Sequence, residues 1–562
     1  MLRHSRYVIL CCVAVTLLFA CNKVPDHRRY IPKDAALVAG IDLKSLGKTI
    51  AWNMITGSKL FKEMEKKVPQ KNGTDIMSGL GNAGIDALNT FYVYLKTDKR
   101  FNSGIKVTAL VPLSNSGDWE TYIKKNFSQA AIKKHNDIQT ASLGKDMFVG
   151  WNNHLLIIIN ATSASSDEAT SQPATAPVDM EMELDAAFSI TNDNSIISDK
   201  NFTKLENSGH DITLWINYEE IMSQYGNEGM ASRMGGVSLA PAIWKGTAFA
   251  CGFDFKKGKI TGDLTYYSSK EMSEVYKEFG ATNASKEMVE RLPAKDLDML
   301  LAMHLSPKGI KDMLTKTDML GLANAGLASV DDMDIDKLLD AFTGDIAFTM
   351  NSLSVERASG NYMEEGMPEQ TTRAGVCYVM KINKQENFQK IMDIAAKTGM
   401  MLPDTRNAAT KGFVVPINAR DSFYILIQYP YVTVSNKYPQ AKAVIEGGDK
   451  NDKLPANVLA QVTGHPIGLY FDIQQSIQKF NVGNPTSEAD SILYAESRKL
   501  LTDFALNGGE FKDGAMQTHM EVNFTNKDES SIIVLLNYGM KITEALEKAK
   551  EKEMEAPQAQ PY

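Results

Sequence analysis

A glycine-rich pattern at residues 79–84 (GLGNAG) is the first stretch of the sequence that could bind a phosphate. It fits G-x-G-x-x-G, in which a strand precedes the glycines and a helix follows, so that the phosphate meets the helix N-terminus. Here a helix-like segment precedes the glycines and the strand-like FYVYL (91–95) follows them. The similar stretch 321–326 (GLANAG) also lacks the middle glycine. We therefore predict a turn that ends a helix, and no cofactor.

Serine and lysine three residues apart have the spacing of the nucleophile and base in penicillin-binding enzymes. The pairs are Ser45/Lys48, Ser142/Lys145 and Ser476/Lys479. A companion motif, Lys397-Thr398-Gly399, ends the helix-like NFQKIMDIAAKTG, whereas that mechanism requires it on a strand. We predict no catalytic residue here.

Asp332, Asp334 and Asp336 have the alternating spacing of a calcium-binding loop. Lys337 stands where that loop needs glycine, and Thr343 where it needs the closing glutamate. Acids that open the helix-like DKLLDAF explain the pattern through the helix dipole. Since the histidines also lack the spacing of a zinc site, we predict no metal site.

Cys21 is the residue whose surroundings indicate a definite chemical fate. Arg3 and Arg6 precede the apolar run 7–20 (YVILCCVAVTLLFA). As a helix this run is about 21 Å long, too short for a hydrocarbon core of about 30 Å, and the pattern is that of a signal peptide. Residues 18–21 (LFAC) resemble the lipobox of bacterial lipoproteins, apart from the phenylalanine where a small residue is usual. The resemblance implies cleavage before Cys21 and lipidation of its thiol; the alternative is a secreted protein with a stray cysteine.

The residues after Cys21 bear on localisation. The segment 22–30 (NKVPDHRRY) has neither the aspartate of inner-membrane retention nor an acidic run that directs some lipoproteins to the surface. We expect a lipid anchor in the outer membrane with the protein facing the periplasm, and the cell surface as the alternative. Cleavage would remove two arginines and no acid, so the formal charge of −8 becomes about −10, which argues against a nucleic-acid partner.

Cys251 and Cys377 are the two cysteines that remain in the mature chain. Both lie in apolar, strand-like runs, and two cysteines in a chain of this length are no disulfide framework. We expect buried free thiols, with a bond between the two left open.

Six segments recur in the same order in the two halves of the chain. The first pair is 31–50 with 292–314, a later pair is 212–222 (ITLWINYEEIM) with 467–477 (IGLYFDIQQSI), and the last is 246–271 with 502–529. The repeat predicts a tandem duplication of one α+β domain. Alternating patterns such as 258–267 (GKITGDLTYY) and 514–524 (GAMQTHMEVNF) indicate antiparallel strands with one buried face, covered by helices.

A short polar residue at the end of a strand, followed at once by a helix, recurs in both copies. Such residues can accept hydrogen bonds from the first N–H groups of a helix. They are Asp42, Ser114, Asn217, Ser306, Asn383 and Asp472.

These patterns divide the chain into predicted segments. They are a signal peptide (1–20), a tether (21–30), repeat one (31–275) with a disordered Ser/Thr/Ala/Pro-rich loop (162–179), a connector (276–291), repeat two (292–545) and a polar tail (546–562).

All five tryptophans (52, 119, 151, 215 and 244) lie in repeat one. They belong either to the core or to an aromatic surface that binds glycans.

The lipobox, the opening IPKDAALVAGIDL (31–43) and the duplicated α+β body together resemble a family of uncharacterised lipoproteins of Gram-negative bacteria, classed as a domain of unknown function. The resemblance implies no activity and no site residues. The first hypothesis is a non-enzymatic binding or scaffold module on the membrane, with envelope proteins, a glycan or an apolar ligand as partner. The second is a carrier of lipid or another apolar molecule, which requires strands that are apolar on both faces and enclose a cavity instead of a packed core. The third is an unrecognised hydrolase, which requires two close carboxylates in a cleft or a residue with a shifted pKa.

Overall fold

The structure is a computed structural model, and it describes most of the chain from residue 26 onwards. The described residues are 26–47, 82–98, 105–127, 129–143, 147–160, 179–223, 243–328, 333–357, 370–397, 399, 401–406, 410–418, 421–480 and 488–555. The signal peptide, Cys21 and most of the predicted loop 162–179 lie outside them. The described residues form two compact units, the first within Met1–Lys44 and Glu65–Asn207, the second within Ser45–Met64 and Ser208–Tyr562.

The first unit contains one antiparallel sheet. Its strands are β1 (Leu37–Asp42), β2 (Thr90–Thr97), β3 (Ile105–Pro112), β4 (Lys133–His135), β5 (Ile138–Ser142), β6 (Met147–Trp151) and β7 (Leu155–Asn160). They pair in the order β1-β2-β3-β7-β6-β5-β4. The helices of this part are α1 (Leu43–Gly47), α2 (Ser116–Asn126), α3 (Met180–Phe188) and α4 (Lys200–Glu206), with 3-10 turns at His27–Tyr30, Asn192–Asn194 and Ile196–Ser198.

The second unit has a wider antiparallel sheet. Its strands are β8 (Ile212–Asn217), β9 (Ala248–Lys256), β10 (Lys259–Tyr267), β11 (Leu297–His304), β12 (Phe342–Arg357), β13 (Gln370–Ile382), β14 (Leu402–Pro403), β15 (Lys411–Pro416), β16 (Ser422–Gln428), β17 (Tyr431–Ser435), β18 (Ile467–Phe471), β19 (Leu501–Lys512) and β20 (Ala515–Phe524). They pair in the order β8-β9-β10-β20-β19-β18-β11-β12-β13-β17-β16-β15-β14.

The helices of the second unit follow the strands closely. They are α5 (Ser273–Phe279), α6 (Lys286–Val289), α7 (Pro307–Lys316), α8 (Leu320–Leu327), α9 (Ile335–Asp340), α10 (Gln385–Lys397), α11 (Tyr438–Ile445), α12 (Ala456–Val462), α13 (Ile473–Phe480), α14 (Glu488–Ser497) and α15 (Ser531–Glu555). Among the described helices, none is long and apolar enough to cross a membrane.

The predicted fold class, α+β with antiparallel sheets and covering helices, is confirmed. Strands β11 to β17 pair in the same order as β1 to β7, and β18-β19-β20 in the same order as β8-β9-β10. A duplicated domain requires this common order. The duplication itself stays a prediction, because shared topology does not establish shared sequence.

The predicted connector 276–291 lies inside the second unit. Met288 and Val289 of α6 are buried against Leu300 of β11 and Val379 of β13, so this segment belongs to a packed core. The predicted polar tail begins within α15, and Asp179 at the end of the predicted loop accepts the N–H groups of Glu181 and Met182 at the start of α3. The predicted repeat boundaries stay a prediction.

Candidate functional site

Residues 82–84, the part of the glycine motif that the structure describes, form a turn that supports a helix. Gly84 has a positive φ of 69°, and its carbonyl accepts the N–H groups of Ser114 (2.8 Å) and Asn115 (3.1 Å). The Asn115 side chain in turn caps α2, accepting from Gly117 and Asp118. Gly84 is therefore explained by packing.

Ser476 and Lys479 lie on α13, but the lysine serves a different partner. Its Nζ is 2.7 Å from Oδ1 of Asp298, whose side chain is fully buried. The Asp298 carboxylate also accepts Nε2 of Gln475 (3.2 Å) and the N–H of Leu353 (2.8 Å). The lysine Nζ is thus engaged by Asp298, and Ser476 is itself buried.

Only the serines of the other two Ser-Lys candidates lie within the described residues. Ser45 donates to the Asp211 carboxylate, and Ser142 lines a cavity described below. Lys48 and Lys145 lie outside the described residues. Lys397 ends α10, as its sequence context predicted.

The aspartates of the candidate calcium loop serve α9. Asp334 is its N-cap and accepts the N–H of Lys337 (2.8 Å), and Asp336 pairs with Lys311 (2.7 Å). Asp332 lies outside the described residues. In the part of the chain that the structure describes, no group of three His, Cys, Asp or Glu side chains is arranged to hold a metal ion.

Cys251 and Cys377 are free and buried, and burial raises the pKa of both thiols to about 11. Trp119, Trp151 and Trp215 are buried too, so these three tryptophans belong to the core and do not form an exposed aromatic surface. Trp52 lies outside the described residues.

One carboxyl has the raised pKa that a hydrolase would call for. Burial, followed by the like charges of Asp503 and Asp298, raises the pKa of Asp472. Asp472 nevertheless caps α13, accepting the N–H of Gln475 at 2.8 Å. It is therefore engaged in the fold.

Helices seal one face of the second sheet. Leu300 and Ala302 of β11, Ala347 of β12 and Val379 of β13 are buried there beneath α6, α11 and α12. This face is an ordinary protein core.

The opposite face of the same strands is also apolar, and we call it the open face. Because paired residues of antiparallel strands point to the same side, the register defines its rows. One row is Phe255, Ile260, Val522, Phe504, Phe471, Met299, Met350 and Val376, and the next is Phe253, Met520, Leu506, Leu469, Leu301, Phe348 and Tyr378. Apart from Tyr378, which is exposed, these side chains are half-buried. By contrast, Leu300, Ala302, Ala347 and Val379 on the helix-covered face are buried. The open face is therefore a continuous apolar surface that the described helices leave partly accessible.

The margin and the aromatic part of the open face are well defined. At one side, Phe388 and Met392 of α10 pack over Met380 and Ile425 and close the sheet there. Inward from this margin, the rings of Phe348 and Tyr378 lie 4.5 Å apart, and Tyr378 is 41% exposed.

The reverse side of strands β9, β10 and β20 is polar. There His519 Nδ1 lies 2.8 Å from Asp263, and Lys259 lies 2.7 Å from Glu521. An antiparallel sheet that is solvated on one face packs its other face against apolar material. At β9, β10 and β20 the open face is thus the side that requires an apolar partner.

Two histidine–carboxylate pairs were missed by the sequence reasoning. His210 contacts Asp254 on β9 (3.0 Å), and His465 contacts Glu510 on β19 (2.5 Å). Each histidine stands two residues before its strand, β8 or β18. The signal lay just upstream of the matched segments 212–222 and 467–477, where both copies have histidine.

Comparison with known proteins identifies a family but no activity. A family model described as "Domain of unknown function (DUF4836)" matches residues 28–364. None of the curated proteins matches the chain.

Two solved structures have weak similarity to parts of the chain. They are "Structure of crystal form I of TP0453" (10% identity, TM-score 0.25, covering 44% of this chain and 79% of that one) and "Structure of crystal form IV of TP0453" (12% identity, TM-score 0.25, 43% and 80%). A TM-score of this size does not establish a common fold.

Proposed function

We propose that this chain, which belongs to the family described as a domain of unknown function (DUF4836), is a non-enzymatic envelope protein that binds an apolar ligand and is tethered to the outer membrane, facing the periplasm, by a lipid on Cys21. The observation that carries the ligand proposal is the open face. Strands β11, β12 and β13 are apolar on both sides, with one face packed against helices and the other partly accessible. A carrier needs this second apolar face, whereas a scaffold with a single core does not.

The dimensions of the open face suit an acyl chain. Its first row crosses eight strands, so at a strand spacing of about 4.8 Å it is about 34 Å long. That exceeds the hydrocarbon core of a bilayer, about 30 Å, which two acyl chains fill end to end. Each buried methylene contributes about 0.8 kcal/mol, so one acyl chain on this face would bind measurably.

Methionines make this face adaptable. Met299, Met303, Met350, Met516 and Met520 all lie on it and are half-buried. Methionine is flexible and polarizable, and it is common on surfaces that accept ligands of varied shape. This composition supports a binder of a class of apolar chains over a site for one rigid molecule.

The ligand proposal predicts that Tyr378→Ser weakens binding of a fluorescent fatty acid. The probe is cis-parinaric acid, added to the mature chain produced without residues 1–21. We expect at least a fivefold rise in Kd, about 1 kcal/mol, because the ring offers apolar surface to the ligand and about 40 Å² of lost contact at about 25 cal/mol per Å² has this effect.

The matched control is Tyr494→Ser on α14. Tyr494 is 39% exposed, close to the 41% of Tyr378, but it does not lie on the sheet. Equal weakening in both variants, or no saturable binding by the unaltered chain, would contradict a ligand site on the open face.

The anchor proposal predicts that Cys21→Ala moves the protein from the membrane pellet to the soluble fraction. Cys12→Ala is the control, because Cys12 leaves with the signal peptide and should have no effect on membrane association. If the Cys21 variant still sediments with membranes, Cys21 is not the anchor.

Protease treatment of intact cells tests the orientation. A periplasmic protein should stay uncut until the outer membrane is permeabilised. Cleavage in intact cells would instead place the protein on the cell surface.

A further inference from the structure

A cavity of about 550 Å³ lies in the first unit, apart from the open face. Its walls are the C-terminal end of α2 and the loop that follows, the strands β5 and β6, and α3. The volume is within the range of about 300–1,000 Å³ that small-molecule sites occupy.

The apolar part of the cavity adjoins the core. Phe127, Leu143, Phe148 and Leu184 line it, and Leu184 is almost fully buried. These side chains offer a pocket for aliphatic or aromatic groups. The polar groups that would orient a ligand come from other residues of the lining.

The polar lining consists of amides and hydroxyls that can pair with peptide groups. Asn126, Gln129, Thr140 and Ser142 contribute to the wall. Thr140 is more than nine-tenths buried and contributes to this wall. A buried hydroxyl normally has a hydrogen-bond partner, and a peptide group of a ligand in the cavity could supply one.

The rim carries one charge of each sign. Lys133 of β4 and Glu181 of α3 form an ion pair there, and both side chains are more than half exposed. An exposed pair of this kind contributes little to stability, so its rearrangement is cheap. A ligand with a carboxylate and an ammonium group could pair with both, whereas a singly charged ligand would face one like charge.

We propose that this cavity binds a short zwitterionic peptide with apolar side chains. The side chains lie against Phe127 and Leu184, the backbone amide groups meet Thr140, and the termini meet Lys133 and Glu181. This site is independent of the acyl-chain site on the open face.

The test is calorimetric titration of the mature chain, produced without residues 1–21, with tri-leucine. We expect saturable binding, about tenfold weaker binding in Lys133→Met and in Glu181→Gln, and weaker binding in Thr140→Val. Lys124→Met is the control, because Lys124 forms a similar exposed ion pair with Glu120 on α2 but does not line the cavity. Thermal melting curves should show that Thr140→Val is folded. Lys133 and Glu181 are exposed, so the result for their variants does not depend on this check.

Blocked and singly charged probes define the chemistry. N-acetyl-tri-leucine amide and octanoate should bind at least tenfold more weakly than tri-leucine. The proposal is overturned if tri-leucine does not saturate, if octanoate binds as well, or if the rim variants behave like Lys124→Met. Because cis-parinaric acid reports on the open face, its binding should be unchanged in all these variants.

Discussion

Gly84→Ala is expected to destabilise the first unit by about 3 kcal/mol or more. A Cβ at this position would lie 2.0 Å from the backbone oxygen of Asn115 and 3.1 Å from Cβ of Asp118. The positive φ of 69° adds about 1–2 kcal/mol for a residue with a side chain. Because the nearest atoms belong to the backbone, no side-chain rotation can relieve the clash.

The effect should spread through α2. Asn115 caps this helix, and the helix carries Trp119, Tyr122 and Ile123 into a core that also contains Trp151. Urea unfolding followed by tryptophan emission is therefore the suitable measurement. A displaced cap should lower the urea concentration at the midpoint of the unfolding transition that tryptophan emission reports.

Gly326→Ala is the matched control, since Gly326 is the last residue of 321–326 (GLANAG), as Gly84 is of the similar stretch 79–84 (GLGNAG). Gly326 lies within α8, and no atom would come within 4 Å of its Cβ. Alanine in a helix is favoured over glycine by about 1 kcal/mol, so this variant should be as stable as the unaltered chain or slightly more stable. If Gly84→Ala unfolds at the same urea concentration as Gly326→Ala, the turn at Gly84 is not as described.

The sequence predicted those features that depend on local chemistry. Residues 258–267 and 514–524 form antiparallel strands as predicted, β10 and β20, and these pair with each other, although burial does not alternate along either strand. Ser306 and Asp472 cap α7 and α13 as predicted, because a short polar side chain reaches N–H groups of the adjoining turn. The predictions for Ser114 and Asn383 were wrong. Asn115, which directly precedes the first residue of α2, caps this helix in place of Ser114. Asn383 donates to the carbonyl of Asp340.

The open face could not be derived from the sequence. In β11, Met299 and Leu301 face one side while Leu300 and Ala302 face the other, so the strand is one continuous apolar run. Such a run has no periodicity that distinguishes a strand sealed on both faces from one that is sealed on a single face. Only the register across β18, β19 and β20 shows that the rows are continuous.

The ion pair of Lys479 and Asp298 was hidden for a different reason. The two residues are 181 positions apart, and the sequence suggested Ser476 as the partner of Lys479 because Ser-x-x-Lys spacing is local. The burial of Asp298 explains why Lys479 pairs with it. A fully buried carboxylate requires a cation, whereas a serine hydroxyl does not.

Lys479→Met is expected to destabilise the second unit by about 3–5 kcal/mol, because it leaves the Asp298 carboxylate buried without a counter-charge. Two hydrogen bonds, from Gln475 and from the N–H of Leu353, would remain and are not sufficient for a full charge. The measurement is urea unfolding followed by far-ultraviolet circular dichroism, which reports on both units. Lys308→Met is the control, since Lys308 is 67% exposed and solvent screens its pairs with Asp312 and Glu278, so this variant should unfold close to the unaltered chain.

A double variant separates loss of the charge pair from loss of the lysine side chain. Asp298→Asn combined with Lys479→Met removes both charges and keeps a group that can accept the N–H of Leu353. Replacing a buried ion pair by neutral groups is often tolerated, so the double variant should recover at least half of the stability lost in Lys479→Met. If the double variant is no more stable than Lys479→Met alone, the unpaired charge of Asp298 is not the cause of the lost stability.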